Sequence, residues 1–552
     1  QFTILPPYAD DAGIGAILSP SLPTCDLDSI DVQVVIQNAG QDTLNTCDVK
    51  WQIGNGTPTT YSFSGSVAPQ GGTDTVVIAT YSFTNFDELT VWTENPNGSQ
   101  DSLSVNDNAN MVVASGLSGT YNVPSDFATL TEAADALNVF GVCDDVVIEI
   151  NSGTYNEQVA LGDVLGVSED ATVTFTSATG NMNDVTIAYA STGSTDNYVV
   201  YLNGSDWVSF TDLTIRNNAT YIYGTAVRIE GGAEHATFDN CHIRAAEYPY
   251  TGNQLSAVYA SGLNHNLTLT NNIIEKGGYG LYLWGSSTTS QVEDVVIENN
   301  HLHDAYYYGV YTYYVKGYEF HNNVVDNDSN LYPYGPRAMM SYYTDEFNIT
   351  GNYFGSDVTS GSYGGYGYPF YMYYCLGSAN PKSMIANNCI NAGAEGTTSY
   401  GYYGAYLGSC GNLDFHNNSV TRRGGNNGYY TFYINAGGAI TVRNNSFADY
   451  NNGYGMYVNG VWSLNASDNN NFYTNGGTVV RFNNTNYSTV EEYAAGSGYD
   501  LNSISTDPAY VDTLACITCN DTLDNAGGTE ARTLLLDVDF KNSLNAMSQV
   551  AL

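Results

Sequence analysis

Five short segments in the first 112 residues alternate apolar and polar positions, and Gly, Asn and Pro turns separate them. They read SIDVQVVIQNAG, CDVKWQIGNG, TTYSFSGSV, GTDTVVIATYSF and DELTVWTENPNG. A period of two residues is typical of a strand with one face in a core. Short strands at regular spacing indicate an antiparallel β-sandwich. We therefore predict a sandwich domain over residues 1–112, followed by a junction.

The pattern changes near Ser118, where the apolar residues first take a helical period. Ala128, Leu130, Ala133 and Leu137 share one face, which predicts a helix over residues 127–139. Beyond it, segments that end in Asn-Asn or a variant recur at steps of 22 to 36 residues. The last residues of these segments are at positions 218, 240, 272, 300, 323, 352, 388, 418 and 445.

A second column of short apolar segments falls between these, and most of its members read Gly-Φ-Tyr-Φ. The central residues are Tyr201, Arg228, Tyr259, Tyr282, Tyr311, Met340, Tyr371, Tyr406, Tyr433, Tyr457 and Arg481. Two strand columns in register, with a variable step and Asn at the corner, indicate a parallel β-helix of about twelve to fourteen coils. Asn suits the corner because it tolerates left-handed backbone, and stacked amides can hydrogen-bond along the axis.

The fold class we predict is all-β, with an N-terminal immunoglobulin-like β-sandwich followed by a right-handed parallel β-helix. The sandwich covers residues 1–112, and the β-helix with its amphipathic cap covers 113–530. Residues 531–552 are a tail or the start of a further module. A leucine-rich repeat is disfavoured because its Leu frame is missing, and a propeller blade would need about 40 residues.

The motifs at the start and end of the solenoid region resemble those of a known protein family. The cap SDFATLTEAADAL, the following DDVVIEINSGTYNEQVAL and the Asn-Asn coils resemble the pectin-lyase-like β-helix superfamily. The C-terminal GTVVRFNNTNYSTVEEYAAGSGYDLNSISTDPAYVDT is similar to the end of large surface or secreted β-helix proteins of the Bacteroidota. The N-terminal segment resembles adhesion-type sandwich modules. This resemblance implies fold and lineage but not activity, since the superfamily holds lyases, hydrolases, esterases and non-catalytic adhesins.

Charge narrows the function. Fourteen Lys and Arg against 56 Asp and Glu give a formal charge of -42, which repels nucleic acid and anionic lipid. No run of 18 apolar residues is present, so we predict no membrane insertion. Nine Cys suit an oxidising exterior, and a first residue of Gln is typical of a processed chain. The expected location is extracellular or cell-surface.

Candidate catalytic chemistry is sparse. No Asp or Glu pair recurs on adjacent coils, so we predict no catalytic residue. The densest cationic group is Arg422 and Arg423 with His416 and Arg443, which we interpret as surface ion pairs.

The sequence gives equally little evidence for a metal site. His301 and His303 face one way and could hold a metal with Asp304 or His321, but solvated side chains are favoured, so no metal ligand is predicted. No cofactor is expected; the motif DNDSN (326–330) leaves Ca²⁺ open.

Six cysteines are predicted to form disulfides. Cys25 precedes one strand and Cys47 opens another, which suggests a bridge whose alternative is two buried thiols. Cys375 and Cys410 each follow a column Tyr by four residues on consecutive coils, about 4.8 Å apart. Cys516 and Cys519 form a lone C-x-x-C, for which a local bridge is favoured over zinc.

Tyrosine is the most unusual feature, with 48 residues in the chain. In Gly-Φ-Tyr-Φ the flanking apolar residues point inward, so the Tyr residues point outward and should stack as an exposed ladder. The predicted binding residues are Tyr259, Tyr282, Tyr311, Tyr371, Tyr406, Tyr433 and Tyr457. The alternative is that Tyr merely stabilises the strands.

The function we predict is therefore a non-catalytic adhesin or surface-filament subunit that binds through this ladder. The second hypothesis is a polysaccharide-binding or polysaccharide-degrading protein. Expected partners are surface polysaccharide or other protein subunits, with self-assembly left open.

Overall fold

The computed structural model of the protein describes residues 9–101, 103–326, 337–355, 367–378, 380–392, 403–423, 428–508, 510–512 and 517–518. Two compact units account for the chain. The first comprises Gln1–Thr120, Asp135–Val147 and Val164–Thr172. The second comprises Tyr121–Ala134, Ile148–Asp163 and Val173–Leu552.

The first unit contains the predicted β-sandwich. Its strands are β1 (Ala12–Ser19), β2 (Ile30–Asn38), β3 (Leu44–Ile53), β4 (Thr59–Val67), β5 (Gly72–Tyr81), β6 (Asp87–Glu94) and β7 (Asn108–Val113), with a 3-10 turn at Pro96–Gly98. One antiparallel sheet has the order β1-β2-β5 and the other β4-β3-β6-β7. Val32, Val34 and Ile36 are fully buried while their neighbours are not, so the alternation of the sequence places the core correctly.

The disulfide of this unit joins Cys25 to Cys143, so the predicted Cys25–Cys47 bridge is wrong. Cys47 is a buried free thiol inside β3, where it packs in the core with Val49 and Phe63. Its side chain points between the two sheets, and Cys25 lies before β2 rather than within the core. Burial raises the pKa of the Cys47 thiol to about 12, so it stays protonated.

The second unit is built largely from parallel strands in two sheets. The predicted cap helix, which is divided between the two units, begins at Leu130 and ends at Phe140, and a second helix covers Val490–Ser497. Strands Leu117–Val123 and Val142–Ile150 stand at the start of the larger sheet, and Tyr510–Asp512 pairs with Ile517–Thr518 near the C-terminus.

The larger sheet of 22 strands contains two alternating strand columns, here called the first and the second. The first column contains Val159–Leu161, Val200–Asn203, Val227–Glu230, Ser256–Ser261, Tyr279–Trp284, Phe370–Tyr373, Tyr454–Asn459 and Thr478–Phe482. The second contains Val173–Ser177, Val208–Thr211, Thr237–Asp239, Thr268–Thr270, Val292–Glu298, Ser383–Ala386 and Leu464–Asp468. Four long strands run through both columns: Tyr308–His321, Met339–Thr350, Ala405–His416 and Tyr430–Arg443. Thr485–Tyr487 returns antiparallel on the last strand.

A third column forms the separate parallel sheet of 12 strands, which gives a β-solenoid of about twelve turns. Its strands are Gly153–Tyr155, Val185–Tyr189, Thr214–Asn217, His242–Arg244, Ile273–Glu275, His301–His303, Val324–Val325, Tyr353–Phe354, Cys389–Ala392, Ser419–Arg422, Ser446–Asp449 and Asn471–Thr474. From Ile273 onward each strand begins directly after an Asn-Asn pair or the Gly-Asn variant. Thr214–Asn217 instead ends at such a pair, so the segment ending at position 218 belongs to this third column and not to the second. The sequence pattern did not predict this column, because its strands have only two to five residues and little alternation.

The two Asn residues of each pair have different roles. The first, for example Asn299 or Asn322, has a left-handed φ of 57° or 53° and turns the chain between the second and third columns. The second is buried and hydrogen-bonds to its counterpart on the next coil. These buried residues are Asn272, Asn300, Asn323, Asn352, Asn388, Asn418, Asn445 and Asn470.

All bonds of this asparagine ladder run in one direction. The Asn323 backbone N–H and Nδ2 donate to Asn352 Oδ1 at 2.8 and 3.2 Å. Asn352 donates in the same way to Asn388 Oδ1 at 3.0 and 2.9 Å. At the C-terminal end, Asn470 Nδ2 donates to Asp500 Oδ1 at 2.8 Å. The predicted amide stacking along the axis is therefore confirmed.

Cys375 and Cys410 lie on neighbouring coils as predicted, but they are free buried thiols. Their Sγ atoms contact carbonyl oxygens instead, at 3.5 Å for Tyr373 and 3.4 Å for Gly408. In-register parallel strands hold the two Cβ atoms about 4.8 Å apart, which is longer than a disulfide accepts. Cys389 is disulfide-bonded. The predicted Cys516–Cys519 bridge lies outside the described residues.

Candidate functional site

The first column carries the predicted tyrosine ladder in the predicted register. Tyr259 pairs with Tyr282, Tyr282 with Tyr311, and Tyr371 with Tyr406, while Met340 occupies the gap. Tyr433 and Tyr457 continue the ladder. Apolar residues on either side of each Tyr, such as Leu281 and Leu283, are fully buried, so the Tyr side chains point away from the core.

The ladder is less exposed than predicted. Tyr282 and Tyr457 are only 7% exposed, and the other ladder Tyr residues are half-buried. The cause is a second set of tyrosines, here called the covering set, whose members pack against the ladder or against one another, in part edge-on. Tyr279 contacts Tyr282 at 5.3 Å and an angle of 82°. The covering set comprises Tyr279, Tyr307, Tyr308, Tyr368, Tyr403, Tyr430 and Tyr454.

Within the ladder, neighbouring rings stack on one another and cover each other's faces. Tyr259 and Tyr282 lie 5.3 Å apart at 2°, and Tyr371 and Tyr406 lie 4.5 Å apart at 8°. Arginines cover the faces of the two terminal rings: the Arg228 guanidinium lies 6.0 Å from the Tyr259 ring, and that of Arg481 lies 4.8 Å from the Tyr457 ring. A ligand therefore meets ring edges and phenol hydroxyls rather than a flat aromatic face.

Burial keeps these phenols neutral. It raises the pKa of Tyr282 and Tyr433 to about 12 and that of Tyr371 still higher, with neighbouring tyrosines adding to the effect. The ordinary tyrosine pKa is about 10. At neutral pH the hydroxyls of Tyr282, Tyr371 and Tyr433 are therefore hydrogen-bond donors and acceptors.

A pH titration should show this shift directly. Since the folded-state pKa values lie above the unfolded value, their contribution to stability is present below about pH 10 and is lost as pH rises toward about 12. We expect tyrosinate absorbance in the native protein to lag behind that of the unfolded protein, and stability to fall over the same range. Coinciding titration curves in buffer and in guanidinium chloride would contradict this.

Two further aromatic columns, which sequence reasoning missed, lie beside the ladder. The outer column consists of Trp284, Tyr313, Tyr342 and Tyr373, in register on consecutive coils. It ends at Gly408, where an added Cβ would lie 2.3 Å from the Tyr373 ring.

The corner column follows the outer column by one residue. It consists of Tyr314, Tyr343 and Tyr374, whose φ values are 59°, 48° and 56°. The signal in the sequence is a Tyr-Tyr dipeptide at 313, 342 and 373, which repeats at steps of 29 and 31 residues.

The predicted cationic group does not assemble. Arg422 is fully buried and forms a bidentate pair with Asp449, with Nε–Oδ2 and Nη2–Oδ1 distances of 2.7 and 3.1 Å. Its neighbour Arg423 lies over the Tyr450 ring at 4.9 Å. His416 and Arg443 are register neighbours on two adjacent parallel strands, at the end of the second column. The expectation of surface ion pairs is therefore wrong for Arg422, whose charge is neutralised inside the solenoid.

An ion network instead occupies the third column. Glu275 is 7% exposed, and its Oε1 lies 2.7 Å from Arg244 Nη1 and 3.0 Å from His242 Nε2. Its Oε2 lies 3.6 Å from His303 Nε2. Burial disfavours the carboxylate, but the His242 hydrogen bond and the Arg244 charge outweigh it and lower the pKa of Glu275 to about 2.

The other nitrogen of His303 faces Asp304. His303 Nδ1 lies 3.5 Å from Asp304 Oδ2, which also accepts from Lys276 Nζ at 3.0 Å. The His303 hydrogen bond and Lys276 hold the pKa of Asp304 well below its usual range. Burial lowers the pKa of His303, but the adjacent carboxylates raise it overall.

Glu275, His303 and Asp304 also have ligand atoms within 4.8 Å of one another, the spacing of a metal site within the described residues. His301 and His303 do face one way, with ring centroids 4.6 Å apart. His321 lies elsewhere and bonds to Glu319 at 2.7 Å. Because Arg244 and Lys276 already neutralise both carboxylates, the geometry favours an ion-pair network over a metal centre.

The DNDSN motif, for which the sequence leaves Ca²⁺ open, lies mostly outside the described residues. Only Asp326 of this motif belongs to the described residues, and its Oδ2 lies 3.2 Å from His301 Nε2.

Comparison with known proteins agrees with the architecture. A family model for the right handed beta helix region matches residues 198–390. This part of the chain is a right-handed β-helix. Among curated proteins, none matches the sequence. In the described part of the chain, the helices are too short or too polar to cross a bilayer.

Several solved structures are similar at low identity. The Dettilon tailspike protein is 11% identical with a TM-score of 0.37, covering 66% of this chain and 68% of its own. The DFA-IIIase from Arthrobacter chlorophenolicus A6 is 11% identical with a TM-score of 0.35, covering 66% and 87%. The rice weevil pectin methyl esterase is 12% identical with a TM-score of 0.28, covering 56% and 79%.

Proposed function

We propose that the protein is an exported polysaccharide-binding protein whose β-helix holds the ligand along its tyrosine-rich side. The observation that carries this proposal is the row of half-buried, neutral phenols that the ladder and the outer column repeat on consecutive coils. A repeated polar edge on a rigid solenoid suits a ligand that is itself a repeating, hydroxyl-rich chain.

Burial of the ladder favours this ligand over a broad protein contact. A protein interface of standard size needs a well-packed apolar centre. Here Tyr282 and Tyr457 are 7% exposed and the ring faces are occupied by their own neighbours. The hydroxyl groups and ring edges that remain are better suited to sugar hydroxyls than to a hydrophobic partner surface.

Binding without cleavage is favoured by the state of the carboxylates. A glycoside hydrolase needs a carboxylic acid that is protonated when it meets the substrate. Glu275 and Asp304 have lowered pKa values. Of the described solenoid aspartates, Asp345 and Asp500 have raised pKa values because they are buried. Both are engaged, Asp345 by the Leu376 N–H at 2.9 Å and Asp500 by Asn470.

The test is a panel of immobilised polysaccharides, with and without Ca²⁺, scored for retained protein and for new reducing or unsaturated ends. We expect retention without cleavage. The variant Y311F/Y371F/Y433F removes three ladder hydroxyls and keeps the rings, so we expect retention to weaken about tenfold or more at an unchanged fold.

Tyr318→Phe is the matched control, because Tyr318 is fully buried inside the solenoid and its hydroxyl has no hydrogen-bond partner among the described residues. We expect this variant to bind like the wild type. New chain ends would show an enzyme instead. Failure to bind any polysaccharide, together with self-association or capture by a protein surface, would favour the adhesin or filament hypothesis.

We further propose that the first unit is an immunoglobulin-like spacer. Its sheet orders, β1-β2-β5 and β4-β3-β6-β7, support this topology. The disulfide between Cys25 and Cys143 supports an oxidising location outside the cell. A surface or secreted protein of the Bacteroidota type fits both features and the quoted C-terminal motif.

A further inference from the structure

The corner column has a backbone that its residues do not favour. Tyr314, Tyr343 and Tyr374 all have left-handed φ values between 48° and 59°. Bulky residues rarely adopt this backbone, and such strain persists mainly where function requires it. Other left-handed corners of the described solenoid are mostly Asn, Asp or Gly, and Ser409 follows Tyr374 on the next coil. The tyrosine side chain, rather than the turn, must therefore explain these three positions.

The three side chains form one surface. Tyr314 and Tyr343 rings lie 5.1 Å apart, and so do those of Tyr343 and Tyr374. Tyr374 is 43% exposed, and Tyr314 and Tyr343 are half-buried. The corner rings stand nearly perpendicular to the outer column, at 87° for Tyr313 with Tyr314 and 79° for Tyr373 with Tyr374. The two columns thus meet as the two walls of an angled track.

Small residues leave both ends of the track open. Gly285 precedes Tyr314 in the corner position, and an added Cβ there would collide with the Tyr314 backbone oxygen. Ser409 takes the corresponding position after Tyr374. A linear ligand can therefore extend past both ends, as a polymer would need.

Charge around the track selects against a polyanion. Glu293 and Asp294 are exposed beside the corner, and Asp345 and Glu346 lie on a neighbouring coil. Lys316 is the cation in this register, and it already pairs with Glu346 at 3.7 Å. With the chain at -42, a polyuronate would be repelled here.

We propose that the corner column and the outer column are the sugar-binding subsites, and that their ligand is a neutral polysaccharide lying parallel to the solenoid axis. This inference rests on the proposed function and specifies its site and ligand class. The 5.1 Å repeat of the corner rings is close to the length of one sugar unit in an extended chain. Successive phenol groups would then meet successive sugar units.

The test compares binding of the full chain to neutral xylan, mannan and mixed-linkage β-glucan with binding to polygalacturonate and alginate. The main variant is Y314N/Y343N/Y374N, because Asn accepts left-handed backbone and the fold should tolerate it. A second variant, Y314F/Y343F/Y374F, keeps the rings and removes the hydroxyls. We expect the wild type to bind a neutral polymer, and both variants to bind it about tenfold or more weakly while each still unfolds in one cooperative transition.

Tyr221→Asn is the control, because Tyr221 is 56% exposed but lies outside the track. Its affinity should equal that of the wild type. Unchanged affinity in both corner variants, with the Y311F/Y371F/Y433F variant impaired, would overturn the corner subsites and leave the proposed function standing. Preference for a polyuronate would overturn the ligand class. Failure of the wild type to bind any polymer would overturn both proposals.

Discussion

Arg422→Met is expected to destabilise the β-helix by about 3–5 kcal/mol. Arg422 and Asp449 are both fully buried, and the pair is bidentate. Removing the guanidinium leaves a carboxylate in an apolar interior, and that uncompensated charge is the main cost. Asp449 Oδ1 also accepts from the backbone N–H of Asn451 and Gly453 at 2.8 and 3.0 Å, so the local turn should loosen as well.

Guanidinium chloride unfolding curves would measure this loss. Arg423→Met is the matched control, because Arg423 is adjacent and half-buried and makes a cation–π contact with Tyr450 at 4.9 Å. Arg423→Met should lower the free energy of unfolding by about 1 kcal/mol or less. The double variant R422M/D449N removes both charges and should recover a large part of the stability. A double variant no more stable than R422M would contradict charge burial as the cause.

Asn352→Ala is expected to lower the free energy of unfolding by about 2–4 kcal/mol, because it interrupts the asparagine ladder at its middle. Asn352 Oδ1 accepts both the backbone N–H and Nδ2 of Asn323. After truncation the buried Asn323 backbone donor has no acceptor. The Asn352 Nδ2 contacts with Phe320 O at 2.9 Å and Asn388 Oδ1 are lost as well.

Asn322→Gly is the control for the ladder. Asn322 turns the chain on the preceding coil, and Gly351 already occupies the equivalent corner on the coil of Asn352. We expect a loss of less than about 1 kcal/mol from the added freedom of glycine. Hydrogen exchange should show faster exchange of the Asn323 amide in N352A alone. Equal exchange rates in the two variants would argue against the ladder as a source of stability.

Sequence reasoning recovered the register of the first column in full, from Tyr201 to Arg481, including the interruption at Met340. It succeeded because an in-register parallel solenoid places the same pattern at the same point of every coil. The separate roles of the two Asn residues also follow from local chemistry, since one needs left-handed backbone and the other needs a buried partner.

Other features could not be predicted because they depend on packing between distant segments. Tyr282 is buried by Tyr279 of its own strand and by the rings on neighbouring coils, and alternation along a strand does not report such contacts. Cys25 pairs with a residue 118 positions away. Arg422 points inward because it lies two residues after the buried Val420 in a short strand of the third column, and the sequence pattern did not predict that column. Corner tyrosines run against backbone preference, so a propensity argument assigns those positions to Asn or Gly.

The asparagine ladder also has an electrical consequence. Each side-chain amide points its Oδ1 toward the N-terminal coil and one of its two Nδ2–H groups toward the C-terminal coil, so the amide dipoles add along the axis as peptide dipoles do in an α-helix. The positive end of this macrodipole lies at Asn470, and Asp500 accepts its last donor there. The segment that follows the last strand of the third column thus caps the ladder with the buried carboxyl of Asp500. The same segment pairs with that strand, which would otherwise have a free edge able to pair with another strand.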